Sequence, residues 1–211
     1  MAHKTTWKQH PDDKPRCAWC ASAPEFPAYH DAEWGFPVDD DCHLFEKLCL
    51  EGFQSGLSWR TILTKRENFR RAFLNFDLSK VSRFTKKDVD RLLKDTGIVR
   101  HRGKIEAAIN NALRARELIA SDGSLAAYFW QFEPDPGQRP EPQTASTSVE
   151  STAMSKDLKK RGWKFVGPTT MYAFMQAMGI VNDHTTDCFA QKHSELARKK
   201  FKRPQIRSQA S

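Results

Sequence analysis

The segment from residue 26 to residue 59 combines many aromatic side chains with a carboxylate that follows an apolar run. The aromatic residues are Phe26, Tyr29, Trp34, Phe36, Phe45, Phe53 and Trp59. Glu51 comes after Leu48, Cys49 and Leu50, near the end of a helix that the apolar spacing predicts to be mostly buried. Such a carboxylate is either solvated at the helix end or held in a pocket for a function. Spacing alone favours solvation, because charged residues are seldom fully buried.

Cysteine and histidine residues near both ends of the chain have the types and spacing of zinc ligands. His184 and Cys188 are four residues apart, which on a helix would place them on one face as half of a zinc site. Cys17 and His30 could supply the other half, with Cys20 competing with Cys17 as the ligand. A Cys2His2 site of this kind would tie the two ends of the chain together. The alternative is a set of buried thiols and histidines without a metal.

A glycine-flanked turn, G-W-K-F-V-G over residues 162–167, lies between two predicted helices. Backbone N–H groups at the start of the second helix could hold an anion there. In a basic protein that anion could be a DNA phosphate. An ordinary tight helical corner is the alternative, and the sequence favours neither.

The charge balance fits a polyanionic partner, nucleic acid before membrane, and the alternative is a basic soluble protein without such a partner. The 211 residues include 34 Lys and Arg against 26 Asp and Glu, a net charge of +8. No apolar run approaches the roughly 18 residues that a membrane span needs, and the N-terminus lacks the apolar centre of a signal peptide. We therefore expect an intracellular protein, in which five cysteines are thiols or metal ligands rather than disulfides.

Helical periodicity and capping residues predict the elements that hold these groups. Asp39, Asp40 and Asp41 can cap a helix over 41–54, and Ser58 can cap one helix that continues to Phe73. The next predicted elements are a helix from the capping box Thr85–Asp88 to Gly97, a helix with Ile105, Ile109 and Leu113 inward, and a segment capped by Ser124 that ends at Phe132.

We expect one helical domain over residues 16–190, with a flexible arm over 1–15 and a disordered basic tail over 191–211. Residues 133–150 contain four prolines and no apolar period, so we expect a loop within this domain. After it, a short helix over 151–161 ends at Gly162, and Pro168 begins a helix that ends at Gly179. No run alternates with a period of two, and the predicted fold class is all-α.

Long motifs occur in a fixed order between Cys17 and Cys188. They are Y-H-D-x-E-W-G, C-L-E-G-x-Q-x-G-L-S-W, K-R-E-N-F, G-I-x-R-H-R-G-K-I and K-x-x-K-R-G-W-K-F-V-G followed by N-D-H. Together they resemble the 3-methyladenine DNA glycosylase I family, the constitutive bacterial type. The resemblance implies a helix-hairpin-helix fold, one structural zinc ion, and a monomeric enzyme of the bacterial cytoplasm and nucleoid. Its substrate would be alkylated double-stranded DNA, from which it releases 3-methyladenine, with 3-methylguanine as a second candidate base.

The resemblance also assigns roles to single residues. Glu51 matches the carboxylate that contacts the excised base. The other positions that it assigns are the zinc ligands Cys17, His30, His184 and Cys188, the pocket aromatics Tyr29 and Trp59, the neighbouring aromatics Trp19, Trp34 and Phe26, and the DNA contacts Gln54, Gly56, Leu57, Lys164, Gly167 and Thr169. Cys20 is left outside the metal site. Phe26 stands where some relatives have tyrosine, which removes a hydroxyl.

The chemistry of the implied substrate suits these residues. The enzyme must turn the target base out of the duplex. Adenine methylated at N3 is cationic and already a good leaving group, so selection can come from the charge of the ring. Each aromatic face favours a cation by about 0.5–2 kcal/mol, and Glu51 can accept hydrogen bonds from the base edge. An aspartate that assists catalysis in the wider superfamily is replaced here by Asn182, with Asp183 shifted by one position.

Two rival classes share part of this pattern. A non-catalytic DNA-binding module stabilised by zinc would have the charge, the turn and the Cys and His residues, but would not need Glu51 beside an aromatic pocket. A purely structural zinc protein would not need the basic turn. We further expect Glu51→Gln to leave folding unchanged if this residue serves only the pocket.

Overall fold

The computed structural model describes residues 6–7, 11–135, 137 and 141–207. Its α-helices within these ranges are α1 (Phe26–Ala32), α2 (Asp41–Gln54), α3 (Trp59–Leu63), α4 (Arg66–Ala72), α5 (Leu78–Val81), α6 (Lys86–Leu92), α7 (Arg102–Asp122), α8 (Leu125–Trp130), α9 (Val149–Lys160), α10 (Pro168–Ala177) and α11 (Phe189–Lys200). Short 3-10 turns cover Ala18–Ser22 and Leu74–Phe76. The fold is mostly helical, as predicted, and in the described part of the chain no helix is long and apolar enough to cross a membrane.

Helix α2 lies at the centre of the fold and carries the carboxylate of interest. It packs against α3, α7, α8 and α10, and every residue from 44 to 53 in it is buried. Its start is fixed by Asp40, whose side chain accepts a hydrogen bond from the His43 N–H at 2.7 Å. The predicted bounds of 41–54 are confirmed. Glu51 is therefore held in a buried part of a central helix.

Several predicted capping residues perform that role. The side chains of Ser58 and Ser124 accept hydrogen bonds from Thr61 N–H and Ala127 N–H, at 3.2 and 2.9 Å. Thr85 and Asp88 form the predicted capping box. Pro168 occupies the first turn of α10, after Gly167. These local interactions were predictable because they depend on residues within one turn of each other.

Several predicted helix boundaries were wrong. Helix α9 begins at Val149 and not at 151, and α10 ends at Ala177 and not at Gly179. The helix expected from Ser58 to Phe73 divides into α3 and α4, because the Thr64 hydroxyl bonds to the carbonyl of Arg60 at 2.9 Å and Lys65 leaves helical geometry. Gly97 does not end α6, which stops at Leu92. Its N–H instead binds Asp95 Oδ1 at 2.8 Å within a turn.

The basic tail folds, contrary to the prediction of disorder. Helix α11 buries Ala190, Ser194 and Arg198, which recur every four residues on one face. Ser194 donates to the Gly35 carbonyl at 2.6 Å, and Arg198 pairs with Glu133. The prediction of disorder depended on the number of charged residues, which does not show that one face of the helix is buried and hydrogen-bonded. Residues 208–211 of the predicted tail lie outside the described residues.

A short antiparallel pair of strands was also missed. The strands β1 (Thr6–Trp7) and β2 (Arg16–Cys17) place Trp7 opposite Arg16. Part of the expected flexible arm is thus attached to the domain, whereas residues 1–5 and 8–10 of the arm lie outside the described residues. Two-residue strands are too short for alternation to reveal them.

Candidate active site

A cleft of about 640 Å³ opens beside the C-terminal half of α2. Its lining residues are Trp19, Ser22, Phe26, Tyr29, Trp34, Glu51, Gln54, Ser58, Trp59, Arg60, Gln143, Ala145, Ala173, Gln176 and Asp183. The aromatic residues predicted for the pocket all occur in this set, together with Glu51. Helices α1, α2, α3 and α10 supply most of the wall.

The aromatic side chains of the cleft form two groups. Trp19 packs edge-on against Phe26 and Trp34, with ring centroids 5.5 and 5.3 Å apart. Tyr29 and Trp59 lie 5.3 Å apart with their planes inclined at 46°. The arrangement offers both ring faces and ring edges to a flat ligand that enters between the two groups.

Glu51 is buried, so the solvated position that spacing favoured is wrong. Its side chain is 6% exposed and accepts a hydrogen bond from the Lys47 ammonium, with Nζ 2.9 Å from Oε1. Lys47 also donates to the Tyr29 hydroxyl at 2.7 Å. Burial lowers the pKa of Lys47, an effect that the charge of Glu51 opposes, and burial raises the pKa of Tyr29. The carboxylate is therefore held in a low-dielectric site by a partner one helical turn away.

The loop after α2 connects the cleft to a second groove. Ser55, Gly56 and Leu57 are exposed, and Gly56 has a φ of 78°, which glycine adopts without strain. The groove, of about 290 Å³, is lined by Glu51, Gln54, Ser55, Gly56, Leu57, Thr169, Thr170 and Ala173. It leads from the carboxylate past the loop to the first turn of α10.

Lys104 of α7 fixes the base of this loop, a role that the sequence did not reveal. Its ammonium donates to the carbonyl oxygens of Phe53 and Ser55, at 2.9 and 2.5 Å. These carbonyls belong to the end of α2, which has no intrahelical partner for them. Burial lowers the pKa of Lys104. The loop that carries Gly56 and Leu57 is thus held at its base by a hydrogen bond from α7.

The turn at residues 162–167 connects α9 to α10 and packs against α7. Asn111 holds it from both sides: its Oδ1 accepts from Lys164 N–H and its Nδ2 donates to the Lys164 carbonyl, each at 2.9 Å. The Lys164 N–H is therefore already bonded, and only the N–H groups at the start of α10 could hold an anion as predicted. Gly167 precedes α10 without a side-chain cap, and the N–H of Thr169 lies in the first turn, where a helix supplies no partner. The Lys164 side chain is exposed.

The segment before α9 supplies a further wall of the cleft through Gln143 and Ala145. The carboxylate of Asp183 accepts hydrogen bonds from Gln143 N–H at 3.0 Å and from Gln176 Nε2 at 2.6 Å. Asp183 is 1% exposed, and this burial raises its pKa. Neither this segment nor Gln143 could be assigned from the sequence, because 40 residues separate Gln143 from its partner.

The predicted metal ligands converge on one buried point. His30 Nε2 lies 3.4 Å from Cys188 Sγ, and His184 Nδ1 lies 3.7 Å from the sulfur atoms of both Cys17 and Cys188. All the donor atoms lie within 4.8 Å of one another. Ligands of a tetrahedral zinc ion stand about 3.3–3.8 Å apart, from bonds of about 2.0–2.3 Å. The residues fit such an ion. Cys20 is buried nearby but is not part of the group.

Hydrogen bonds around this group orient the imidazoles. His30 Nδ1 bonds to Asp31 Oδ1 at 2.8 Å, and His184 Nε2 bonds to the Trp34 carbonyl at 3.0 Å. Each ring therefore turns its other nitrogen toward the sulfur atoms, as in histidines that bind metals. Hydrogen bonding from Cys17, and then from His184 and His30, lowers the pKa of Cys188 and favours the thiolate.

The four-residue spacing predicted that His184 and Cys188 lie on a helix, but they do not. Residues 182–188 form an irregular segment with a turn, and α11 begins only at Phe189. The Thr185 N–H donates to Cys17 Sγ at 3.5 Å, which pins this segment onto the N-terminal strand. The ligand pair was predicted correctly but from the wrong local structure.

A mostly helical domain with an aromatic cleft, a buried carboxylate and a groove leading to the first turn of α10 has the features of a protein that acts on single bases of a nucleic acid. The sequence profile of the methyladenine glycosylase family matches residues 19–191. The chain belongs to this family.

Individual relatives agree with this assignment. The chain is 48% identical over 177 residues to the DNA-3-methyladenine glycosylase 1 of Escherichia coli (strain K12), covering 82% of this chain and 95% of that protein. A crystal structure of a 3-methyladenine DNA glycosylase I superposes with a TM-score of 0.76 at 46% identity, covering 82% of this chain and 98% of the other. A crystal structure of a variant of another 3-methyladenine DNA glycosylase I, in complex with 3-methyladenine, gives a TM-score of 0.77 at 36% identity, covering 83% of this chain and 97% of the other.

Proposed function

We propose that this protein is a DNA glycosylase of base-excision repair that hydrolyses the N-glycosidic bond of 3-methyladenine in alkylated DNA. The observation that carries the proposal is the position of Glu51, a buried carboxylate at the wall of a cleft lined with aromatic rings. A second base of the same charge, 3-methylguanine, fits the same chemistry. The relatives named for 3-methyladenine, and the one in complex with it, support this choice of substrate.

The cleft can select the damaged base by its charge. Adenine methylated at N3 and still attached to the sugar is a cation, whereas the normal base is neutral. Glu51 attracts the cation and accepts hydrogen bonds from its edge. Tyr29 and Trp59 stack against it, which favours a cationic ring by about 0.5–2 kcal/mol for each face. Neutral adenine gains neither contribution and leaves the buried carboxylate with no new partner.

The reaction needs little assistance once the base is bound. The bond between C1′ and N9 breaks with its electron pair going to N9, so the base departs neutral and the positive charge moves to the sugar. The oxygen of a water molecule then bonds to C1′ and loses a proton. Because the leaving group is already activated, Glu51 serves mainly to bind and orient the base. This agrees with Asn182 standing where a catalytic aspartate is found in the wider superfamily.

We assign the DNA-binding surface to the 54–57 loop and the 162–167 turn, which act as the loop and hairpin of a helix-hairpin-helix glycosylase. Leu57 is 43% exposed at the tip of the loop and can enter the gap left by a flipped base. The groove between this loop and Thr169 gives the flipped nucleotide a path to Glu51. Gly167, Thr169 and Lys164 can hold a phosphate at the start of α10. Gln54 lies at the junction of the cleft and the groove.

We also propose that Cys17, His30, His184 and Cys188 hold one zinc ion with a structural role. The two histidines of the group are 154 residues apart in the sequence. The group joins the N-terminal strand to the segment before α11. When bound, the ion would contribute to folding rather than to chemistry. The cleft, groove, turn and metal group are complete without a second subunit, and we propose that the enzyme acts as a monomer. We place it in the bacterial cytoplasm, where its substrate DNA is found.

Release of the free base tests the proposal. The protein is incubated with duplex DNA treated with a methylating agent, and the released bases are separated and quantified. Release of 3-methyladenine, with none from untreated duplex, is expected. A protein that binds the methylated duplex and releases no base would be a DNA-binding module rather than an enzyme. A protein that does not bind DNA would contradict both functions.

A further inference from the structure

The contacts of Lys47 resemble those proposed for the cationic base. Its ammonium lies 2.9 Å from Glu51 Oε1, 3.4 Å from the centroid of the Trp59 ring and 4.9 Å from that of Tyr29. It also donates to the Tyr29 hydroxyl. The partners Glu51, Tyr29 and Trp59 all line the cleft. The protein thus places a positive charge of its own against the residues that recognise a positive ligand.

Packing does not require an ammonium at this position. Lys47 lies in the buried stretch of α2, and its side chain is only 5% exposed. The adjacent carboxylate of Glu46 has its own partner in Arg70, 2.8 Å away. Replacing a buried ion pair by apolar side chains is often neutral or stabilising, because both charges must be removed from water. The nearby pair of Glu33 and Arg66 is balanced by itself, with 2.5 Å between Arg66 Nη1 and Glu33 Oε2. Of the other charged residues that line the cleft, Arg60 pairs with Glu25, and Asp183 accepts hydrogen bonds from Gln143 and Gln176. Lys47 and Glu51 therefore supply the charges beside Tyr29 and Trp59.

We infer that Lys47 is a specificity-determining residue that limits how strongly the cleft prefers a cationic base over a neutral one. This inference deepens the proposed function and rests on it. With Lys47 present, the wall is neutral before binding, and the cationic base is attracted by Glu51 but repelled by the ammonium. Without Lys47, the wall would carry one negative charge that the cationic base alone would neutralise. The range of bases that bind is then set by the pair and not by Glu51 alone.

The same charge affects the chemical step. Before the bond breaks, the positive charge is on the ring and is repelled by the ammonium. After it breaks, the base is neutral and the charge is on the sugar. Lys47 therefore disfavours the bound cation more than the departing base. Removing it should lower both KM and kcat, which is the pattern expected when an unfavourable interaction in the bound substrate is lost.

The test measures the affinity of a cationic and of a neutral ligand for variants that keep or remove the positive charge at position 47. Binding of the fixed cation 3,9-dimethyladeninium and of neutral 9-methyladenine is measured by calorimetry for the parent and for Lys47→Met, Lys47→Gln and Lys47→Arg. Lys47→Met and Lys47→Gln should raise the ratio of cation to neutral affinity by about tenfold or more, since a charge this close outweighs screening by solvent. Lys47→Arg keeps the charge and should keep the ratio of the parent.

A double variant separates charge from structure. Lys47→Met/Glu51→Gln restores a neutral wall, and its ratio should fall back toward that of the parent. An unchanged ratio in both Lys47→Met and Lys47→Gln would overturn the inference, as would an equal rise in Lys47→Arg. The proposed function is judged separately by base release from methylated duplex with the parent protein. If the parent protein releases no base, the proposed function fails. The affinity ratios of the variants still decide whether Lys47 limits the preference of the cleft for a cation.

Discussion

His30 Nε2 and His184 Nδ1 face each other at 3.1 Å although 154 residues separate them in the chain. Their other ring nitrogens are bound to Asp31 and to the Trp34 carbonyl. Two imidazole nitrogens that both present lone pairs repel each other unless a metal ion or a proton lies between them. With two cysteine sulfurs beside them, this pair defines the point at which the ends of the domain are joined.

The first prediction concerns the metal. Elemental analysis of the purified protein should find one zinc ion per chain. Cys188→Ser should lose the ion and lower Tm by about 6–12 °C, because at least about 3 kcal/mol of metal-coupled folding energy would be lost. Cys20→Ser is the matched control, since this cysteine is buried close by but outside the group. Parent-like zinc content and Tm in Cys188→Ser would contradict the assignment.

The second prediction concerns DNA binding by the 162–167 turn. Affinity for undamaged duplex should fall steeply with salt, because neutralised phosphates release counterions. Lys164→Ala should weaken binding to all sequences alike and reduce the slope of log K against log salt by about 0.9. Lys199→Ala removes an equal charge from α11 and should leave the slope unchanged. Equal slopes for the parent and Lys164→Ala would place the DNA on another surface.

The third prediction concerns the anchor of the 54–57 loop. Lys104→Met deprives the carbonyls of Phe53 and Ser55 of their donor, which should cost about 1–3 kcal/mol in the free energy of unfolding. Excision from duplex should slow, because the loop that fills the gap in the DNA is less ordered. Binding of free 3-methyladenine should change little, and Lys94→Met, at an exposed site, should change neither property. Loss of free-base binding in Lys104→Met would mean that the cleft itself has been disturbed.

The fourth prediction concerns Asp183. If this residue only holds Gln143 and Gln176 in the wall of the cleft, Asp183→Asn should stay within a few-fold of the parent in single-turnover excision, since an amide oxygen can still accept from Gln143 N–H. Asp183→Ala should slow excision further by releasing the wall. A general acid or base would contribute about 10²–10⁴-fold. A loss of that size in Asp183→Asn would make Asp183 a catalytic residue.

The sequence predicted the parts of the site that depend on residue type and local spacing. The helix that carries Glu51, the caps Asp40 and Ser58, and the set of metal ligands are of this kind. It could not predict that Glu51 is buried, because this depends on four helices that pack around α2. Lys47 was equally hidden, because a lysine on a helix is ordinarily solvated.

Contacts between distant segments were the other part that could not be predicted. Gln143 binds Asp183 across 40 residues, and the Lys104 ammonium binds the Ser55 carbonyl across 49. Each contact is made by a Gln, Asp or Lys side chain. Because these residue types are usually exposed to solvent, their presence in the sequence does not indicate a buried contact. The helical tail was missed for a related reason, because its buried Arg198 counts as a surface charge until Glu133 is placed beside it.

The buried pair changes what is expected of Glu51→Gln. The sequence alone suggested that folding would be unaffected, but the substitution leaves the Lys47 ammonium buried without its carboxylate. Such a loss is destabilising unless the lysine gives up its proton. We therefore expect a lower Tm for Glu51→Gln. The loss should be smaller in Lys47→Met/Glu51→Gln, in which neither charge remains.

Single-turnover excision of 3-methyladenine from a methylated duplex tests the central claim most directly, with the parent, Glu51→Gln and Lys47→Met/Glu51→Gln measured at a temperature at which all three are folded. If the carboxylate recognises the base in the duplex, both variants should excise 3-methyladenine more slowly. They should also bind the free base less well, because it is neutral but keeps the edge that hydrogen-bonds to Glu51. The loss should be partial, below the roughly 10²–10⁴-fold of an essential acid or base, because the leaving group is already activated. Rates equal to that of the parent in both variants would contradict the account and leave selection of the base to the aromatic rings alone.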